Sequence, residues 1–160
     1  MDKASRGFSL IELLIVVAII LIIAAIAIPN FLRSRVAANQ ASAVASLHTL
    51  GIAEATYSST FGHGYSSTLQ YLAPPAGGGN STSTAAGLID SVLTSGSKSG
   101  YSFTYSPGVS DSSGLITTFS FTAVPISSMT GTNYYFTDSS GVIRLNSTTT
   151  AGSTDSPVGG

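Results

Sequence analysis

The segment Arg6-Gly7-Phe8-Ser9-Leu10-Ile11-Glu12 leads from a short basic start into a long apolar run. The run extends from Phe8 to Ile28, and Glu12 is the only charged residue among its 21 residues. At 1.5 Å per residue, a helix of this length spans about 31 Å, which matches the hydrocarbon core of a bilayer. The sequence therefore predicts a membrane-spanning helix, and the basic residues before it predict a cytoplasmic N-terminus.

A secretory signal peptide is the alternative interpretation of this segment. Such signals have an apolar core of about 7–15 residues that ends in a small-x-small cleavage site. Ala24-Ala25-Ile26-Ala27 has that character, so composition leaves the alternative open. The run is longer than a signal core, however, and it continues through Pro29 into a second helical pattern.

Residues 29–61 are predicted to form the amphipathic half of the same helix. Apolar side chains recur at spacings of three, four or seven residues: Leu32, Val36, Ala43, Leu47, Leu50, Tyr57 and Phe61. Pro29 lies between the two halves, and because proline has no N–H donor it is predicted to kink the helix. The expected element is one long helix from residue 8 to residue 61.

The remainder of the chain predicts the rest of an α+β fold. Residues 62–100 are rich in Gly and Pro, and they are expected to form a loop region with a short helix at 88–93. In residues 101–146 the apolar period becomes two, which predicts an antiparallel meander of four strands. One face of this sheet is expected to pack on the amphipathic half of the helix. The Ser/Thr/Gly-rich residues 147–160 are predicted to form a flexible tail.

The composition excludes several kinds of chemistry. The 160 residues include no cysteine, so disulfides, thiolate metal sites and cysteine nucleophiles are impossible. A net charge of −1 gives no electrostatic reason to expect nucleic-acid binding. His48 and His63 have no second ligand at metal spacing, and no nucleophile motif or phosphate loop occurs. We therefore expect no enzymatic activity, no metal and no cofactor.

Four polar positions have weaker alternatives. The sequences that begin at Asp111 and Asp138 are Asp-Ser-Ser-Gly, and they are interpreted as turns rather than calcium loops. Asn80 and Asn146 begin Asn-Ser-Thr triplets that fit the glycosylation pattern. Such triplets are common by chance in a chain this rich in Ser and Thr.

Residues 3–20 resemble the signal of type IV prepilins. The resemblance rests on a short basic leader, on Gly7 followed by Phe8, and on an acid at the fifth position of the spanning run. Ile26-Ala27-Ile28-Pro29-Asn30-Phe31 extends it, whereas Leu21 departs from it because many relatives have glycine there. The resemblance is to the type IV pilin and type II secretion pseudopilin family. It implies the pilin fold, a long kinked helix packed on an antiparallel sheet of about four strands.

The resemblance also implies how the chain is processed and assembled. A prepilin peptidase of the membrane would cut after Gly7 and methylate the new amine of Phe8, so that residues 1–7 are a leader peptide. Mature subunits would leave the inner membrane and pack residues 8–28 into the core of a helical filament. An inner-membrane assembly platform and its ATPase would drive this step.

Glu12 also has a physical argument of its own. A carboxylate at membrane depth costs roughly 2.5–3.5 kcal/mol on insertion scales and needs a partner. Since no Lys or Arg lies nearby on the mature helix, the candidate cation is the amine of Phe8, from its own chain or a neighbour. The resemblance implies the neighbour's amine, which makes Glu12 a predicted subunit-assembly residue. The alternative is a tolerated acid that reaches the membrane interface from the helix end.

Three functions are compatible with these observations. The first is a type IV pilus subunit, with a role in adhesion, twitching motility or DNA uptake. The second is the major pseudopilin of a type II secretion system, because residues 101–108 are similar in outline to a pseudopilin stretch, although the tryptophan that often accompanies it is missing. The third is a membrane-anchored enzyme or binding domain, for which no catalytic constellation is present.

Overall fold

The computed structural model describes residues 8–159, so that Gly7 and the rest of the predicted leader lie outside the described residues. The structure divides into two units, of which the first ends at Arg35 and the second begins at Val36. One helix, α1 (Leu10–Phe61, 52 residues), contributes to both units and includes Pro29. The prediction of a single long N-terminal helix is therefore confirmed.

Between Leu13 and Ile28, in the first unit, α1 is apolar on every side. Its large apolar side chains are exposed, from Leu10 at 80% to Ile28 at 57%. By length and composition, α1 is the one helix among residues 8–159 that is able to cross a membrane. A helix that is apolar all round is stable in lipid or inside a larger apolar core, but not in water.

The second unit is a head domain with an α+β layout, as predicted. The loop that follows α1 contains the short helix α2 (Ser91–Thr94), close to the predicted 88–93. Six antiparallel strands follow in sequence order: β1 (Ser97–Lys98), β2 (Tyr101–Pro107), β3 (Phe119–Pro125), β4 (Tyr134–Asp138), β5 (Arg144–Asn146) and β6 (Ser156–Pro157). Each strand pairs with the next one along the chain, which makes the sheet a meander.

The predicted number of four strands is wrong, because the sheet has six. β2 to β5 fall within residues 101–146, whereas β1 and β6 contain two residues each. β1 is formed by a tight turn in which Ser99 (φ 50°) and Gly100 (φ 75°) are left-handed. β6 lies in the segment predicted to be a flexible tail, and there Ser156 pairs with Leu145 of β5. A two-residue strand shows no alternation, so the side-chain period cannot reveal it.

The core of the head lies between α1 and one face of the sheet. The helix contributes Ala43, Leu47, Leu50, Ala53 and Tyr57, and the sheet contributes Tyr101, Phe103, Phe119, Phe121, Ala123 and Tyr135. Leu47, Leu50 and Phe121 are fully buried, and each such side chain contributes about 1.5–3 kcal/mol relative to exposure. The predicted helical stripe is thus confirmed from Ala43 to Tyr57.

The turn that ends α1 packs its backbone closely against the backbone of the loop between β2 and β3. Gly62 and Gly64 follow the helix with φ of 68° and 75°. The N–H of Tyr65 then donates to the carbonyl of Ile116 at 2.8 Å, which ties this turn to the loop between β2 and β3. A Cβ on Gly64 would collide with the backbone of Ile116, so this position requires glycine.

Gly64→Ala is expected to lower the free energy of unfolding of the head by about 1–3 kcal/mol, because alanine is strained at this φ and its Cβ meets Ile116. Gly51→Ala is the matched control, since an added Cβ in this part of α1 meets no atom within 4 Å. Replacing a helical glycine should raise stability by about 0.5–1 kcal/mol. Thermal unfolding in detergent micelles, followed by the near-UV circular dichroism of the tyrosines, measures the stability of both variants. Equal melting temperatures for the two variants would contradict this account.

Candidate processing and assembly site

The N-terminal end of α1 carries Phe8 and Glu12, two of the residues with predicted roles. Phe8 precedes the helix and is 80% exposed, so no other part of residues 8–159 encloses it. Glu12 lies in the first helical turn and is exposed as well. Gly7, the other side of the predicted cleavage position, lies outside the described residues.

Glu12 forms a capping contact with Ser9. The carbonyl of Ser9 accepts hydrogen bonds from the N–H groups of Glu12 at 3.1 Å and Leu13 at 3.2 Å, which makes Ser9 the N-cap. In return, Oε2 of Glu12 accepts the backbone N–H of Ser9 at 2.8 Å. The negative charge also lies at the positive end of the helix dipole, where a carboxylate gains about 0.3–1 kcal/mol.

This contact was missed in the sequence, although its signal is present. Ser9-Leu10-Ile11-Glu12 has the Ser-x-x-Glu spacing of a capping box. The contact gives the carboxylate a hydrogen-bond donor in its own chain but no cation. Within residues 8–159 the one salt bridge joins Lys98 to Asp90 in the head. Pairing of Glu12 with the amine of a neighbouring Phe8 therefore stays a prediction.

Pro29 lies inside α1 rather than at one of its ends. It has no N–H to donate to the carbonyl of Ala25, four residues earlier, and this missing hydrogen bond is the physical basis of the predicted kink. The kink itself stays a prediction.

A second charged group, which was not singled out in the sequence, is buried in the head. Glu54 on α1 is fully buried, and its two carboxylate oxygens accept the Ser66 N–H at 2.9 Å and the Ser66 Oγ–H at 2.6 Å. The hydroxyl of Tyr105 in β2 donates to the carbonyl of Ser66 at 2.6 Å. Glu54 thus ties the helix to the loop that follows it and, through Ser66, to the sheet.

Burial raises the pKa of Glu54 above its ordinary value of 4.5, and the hydrogen bonds from Ser66 oppose that shift only in part. The native head then binds more protons than the unfolded chain at pH values between 4.5 and the raised pKa. The free energy of unfolding should therefore fall as the pH rises through this interval.

Glu54→Gln should remove this pH dependence, because glutamine does not ionise and its amide oxygen still accepts the Ser66 N–H. Glu54→Ala leaves that donor unpaired and opens a cavity, so it should cost about 2–4 kcal/mol at any pH. Chemical denaturation from pH 4 to pH 8 measures both effects. A wild-type pH slope that persists in Glu54→Gln would show that another group titrates.

The other polar positions are placed as follows. Oδ1 of Asp111 accepts the N–H groups of Ser113 at 2.8 Å and Leu115 at 3.0 Å, and Oδ1 of Asp138 accepts the N–H of Ser140 at 2.9 Å. Both aspartates therefore stabilise turns, as their sequences indicate. Among residues 8–159, no group of three His, Cys, Asp or Glu is arranged to hold a metal ion.

The two Asn-Ser-Thr triplets differ in accessibility. Asn80 is exposed in the loop region, whereas Asn146 is half-buried. Oδ1 of Asn146 accepts the N–H of Thr148 at 2.9 Å, and its Nδ2 donates to Asp155 at 2.9 Å. These contacts also hold part of the segment that was predicted to be flexible.

Comparison with known proteins matches residues 2–28 to the prokaryotic N-terminal methylation motif. The type IV major pilin protein PilA of Myxococcus xanthus is 48% identical over 56 residues, which cover 35% of this chain and 26% of that protein. The type IV wide pilus major component PilA4 of Thermus thermophilus is 52% identical over 46 residues, which cover 29% of this chain and 35% of that protein. No solved structure gives a significant match.

The motif and the fold agree on the class of protein. The methylation motif covers the start of α1, and the long helix packed on an antiparallel sheet fits the pilin fold. The N-terminal part of the chain is therefore similar to type IV major pilins, as its residues predict. The chain spans about a quarter to a third of the length of the curated relatives that it matches.

Proposed function

We propose that this chain is the precursor of a structural subunit of a type IV pilus. It is cleaved after Gly7, methylated at the amine of Phe8 and polymerised through residues 8–28. The observation that carries the proposal is an apolar, exposed helix that begins with a capped acid inside the matched methylation motif. Such a helix needs lipid around it before assembly and apolar surfaces of other copies afterwards.

The proposed location and partners follow from this role. The precursor spans the inner membrane once, with Lys3 and Arg6 on the cytoplasmic side. A prepilin peptidase processes it, and an assembly platform with its ATPase moves it into an extracellular filament. Both relatives are named as pilus components, so we propose a structural role rather than an enzymatic one. Adhesion, twitching motility and DNA uptake are the filament functions to test.

A type II secretion pseudopilus is the alternative. The stretch at residues 101–108, which is similar to pseudopilins, forms β2 and the residue after it, and Tyr101 and Phe103 are buried in the core. A core-packing role suits either kind of filament, whereas the names of both relatives favour a pilus. Electron microscopy of sheared surface fibres should show fibres that disappear when this chain is deleted. Unchanged fibres together with a secretion defect would support the pseudopilus instead.

Mass spectrometry of the protein from sheared fibres should find a chain that begins at Phe8 and carries one extra methyl group on its amine. Gly7→Val should retain the leader, because a branched side chain at the cut position obstructs the peptidase. Ala4→Val adds a branched side chain away from that position and should be processed normally. An intact Met1 in the assembled wild-type protein would refute the proposed processing.

Glu12→Ala should leave processing intact but strongly reduce the number of filaments, because the predicted ion pair is lost. Glu12→Gln is the informative control, since its amide oxygen still accepts the Ser9 N–H but carries no charge. If charge pairing drives assembly, both variants should fail to form filaments. Normal filaments from Glu12→Gln would assign the role of Glu12 to helix capping instead.

A further inference from the structure

A pocket of about 240 Å³ lies beyond the C-terminal end of α1, in the head. Tyr57 of α1, which is only 3% exposed, is one of its lining residues. The other lining residues come from the turn after the helix, from the short 3₁₀ helix Leu69–Leu72, from the loop at Ser83 and from the loop between β2 and β3. The end of α1 and four further segments of the chain therefore converge on one cavity.

Hydrogen bonds hold these segments together. The hydroxyl of Tyr57 donates to the carbonyl of Ser83 at 2.7 Å. The N–H of Tyr65 donates to Ile116 at 2.8 Å, and the carbonyl of Tyr71 accepts the N–H of Ala86 at 2.8 Å. The walls are thus fixed before any ligand arrives, which lowers the entropic cost of binding.

Several polar side chains of the pocket have unused hydrogen-bonding capacity. The hydroxyls of Tyr101 and Tyr105, elsewhere in the head, both donate to backbone carbonyls. By contrast, the side chains of four lining residues make no hydrogen bond within residues 8–159: His63, Tyr65, Ser67 and Tyr71. Convergent polar groups on a concave aromatic surface are the usual features of a small-molecule site.

The lining also indicates the chemistry of the ligand. It contains no Lys, Arg, Asp or Glu, so a charged ligand would lose its hydration without gaining an ion pair. Glu54 lies close by but is fully buried, and both of its oxygens are occupied by Ser66. Tyrosine rings offer flat apolar faces, and hydroxyl and imidazole groups both donate and accept hydrogen bonds. A neutral ring with an apolar face and several hydroxyl groups complements this surface.

We propose that this pocket binds one neutral sugar ring, as the end unit of a glycan. Its volume is below the roughly 300–1,000 Å³ of pockets for drug-sized ligands, so one ring fits better than a longer chain. The site lies in the head and uses none of residues 8–28. It is therefore a binding activity separate from filament assembly, and it stands or falls independently of the proposed pilus role.

Saturation-transfer NMR on the full chain tests this proposal. The micelles should be a polyoxyethylene detergent, because its head group contains neither sugar nor ammonium. The probes are the methyl glycosides of glucose, galactose and N-acetylglucosamine, and tetramethylammonium is the charged probe that an aromatic cage would prefer. We expect saturable binding of at least one glycoside. Binding of tetramethylammonium alone, or of no probe at all, would overturn the proposal.

Single-residue variants test whether the sugar binds in this pocket. Tyr71→Phe keeps the ring but loses the hydroxyl, so affinity should fall by about 2- to 13-fold, as expected for one hydrogen bond. His63→Ala removes an exposed side chain and should weaken binding similarly. Tyr134→Phe removes a hydroxyl from a half-buried tyrosine that lies outside the pocket, and it should bind as the wild type does. Unchanged affinity in both Tyr71→Phe and His63→Ala would place the sugar elsewhere and refute this site.

Discussion

An α-helix whose side chains are apolar on every side has to be covered by something other than water, and this constraint governs the first unit of the protein. Over residues 10–28 the helix satisfies its backbone hydrogen bonds internally, but its large side chains stay exposed within the chain. A lipid bilayer and a bundle of similar helices are the two surroundings that meet this requirement. The proposed passage from membrane to filament exchanges one of these surroundings for the other.

The head meets the opposite constraint, because it has to be stable in water. Its portion of α1 contributes Leu47 and Leu50 to the same core as Phe121, and the outer positions of β2 and β3 are mainly Ser and Thr. Glu54 is an exception to this division, since a buried carboxylate is costly unless it is hydrogen-bonded. Two hydrogen bonds from Ser66 offset that cost and fix the loop after the helix. The same loop forms one wall of the aromatic pocket, so the buried acid helps to position the proposed binding surface.

The sequence was sufficient for the features that depend on periodic patterns. The buried stripe of the helix and strands β2 and β3 show a regular apolar period, and they were predicted together with the long helix and strands β4 and β5. The features that it missed depend on contacts between residues distant in the chain or on very short elements. β6 forms because Ser156 pairs with Leu145 of β5. The carboxylate of Glu54 accepts hydrogen bonds from Ser66, twelve positions later. The capping contact between Ser9 and Glu12 is different, because the Ser-x-x-Glu spacing in the sequence was enough to predict it. It was missed because Glu12 was considered only as a charge in the membrane.

The proposed pairing of Glu12 with a neighbouring amine, in addition to its contact with Ser9, would couple assembly to cleavage. A hydrogen bond from Ser9 satisfies one oxygen of the carboxylate, but it leaves the net negative charge in place. The cost of holding a charge at membrane depth therefore persists until a cation approaches. In the uncleaved chain the nitrogen of Phe8 is an uncharged amide, whereas the proposed cut after Gly7 converts it into an amine. Only a processed subunit would then carry a cation on Phe8 itself, whereas the cationic side chains of the uncleaved precursor, Lys3 and Arg6, belong to the predicted leader.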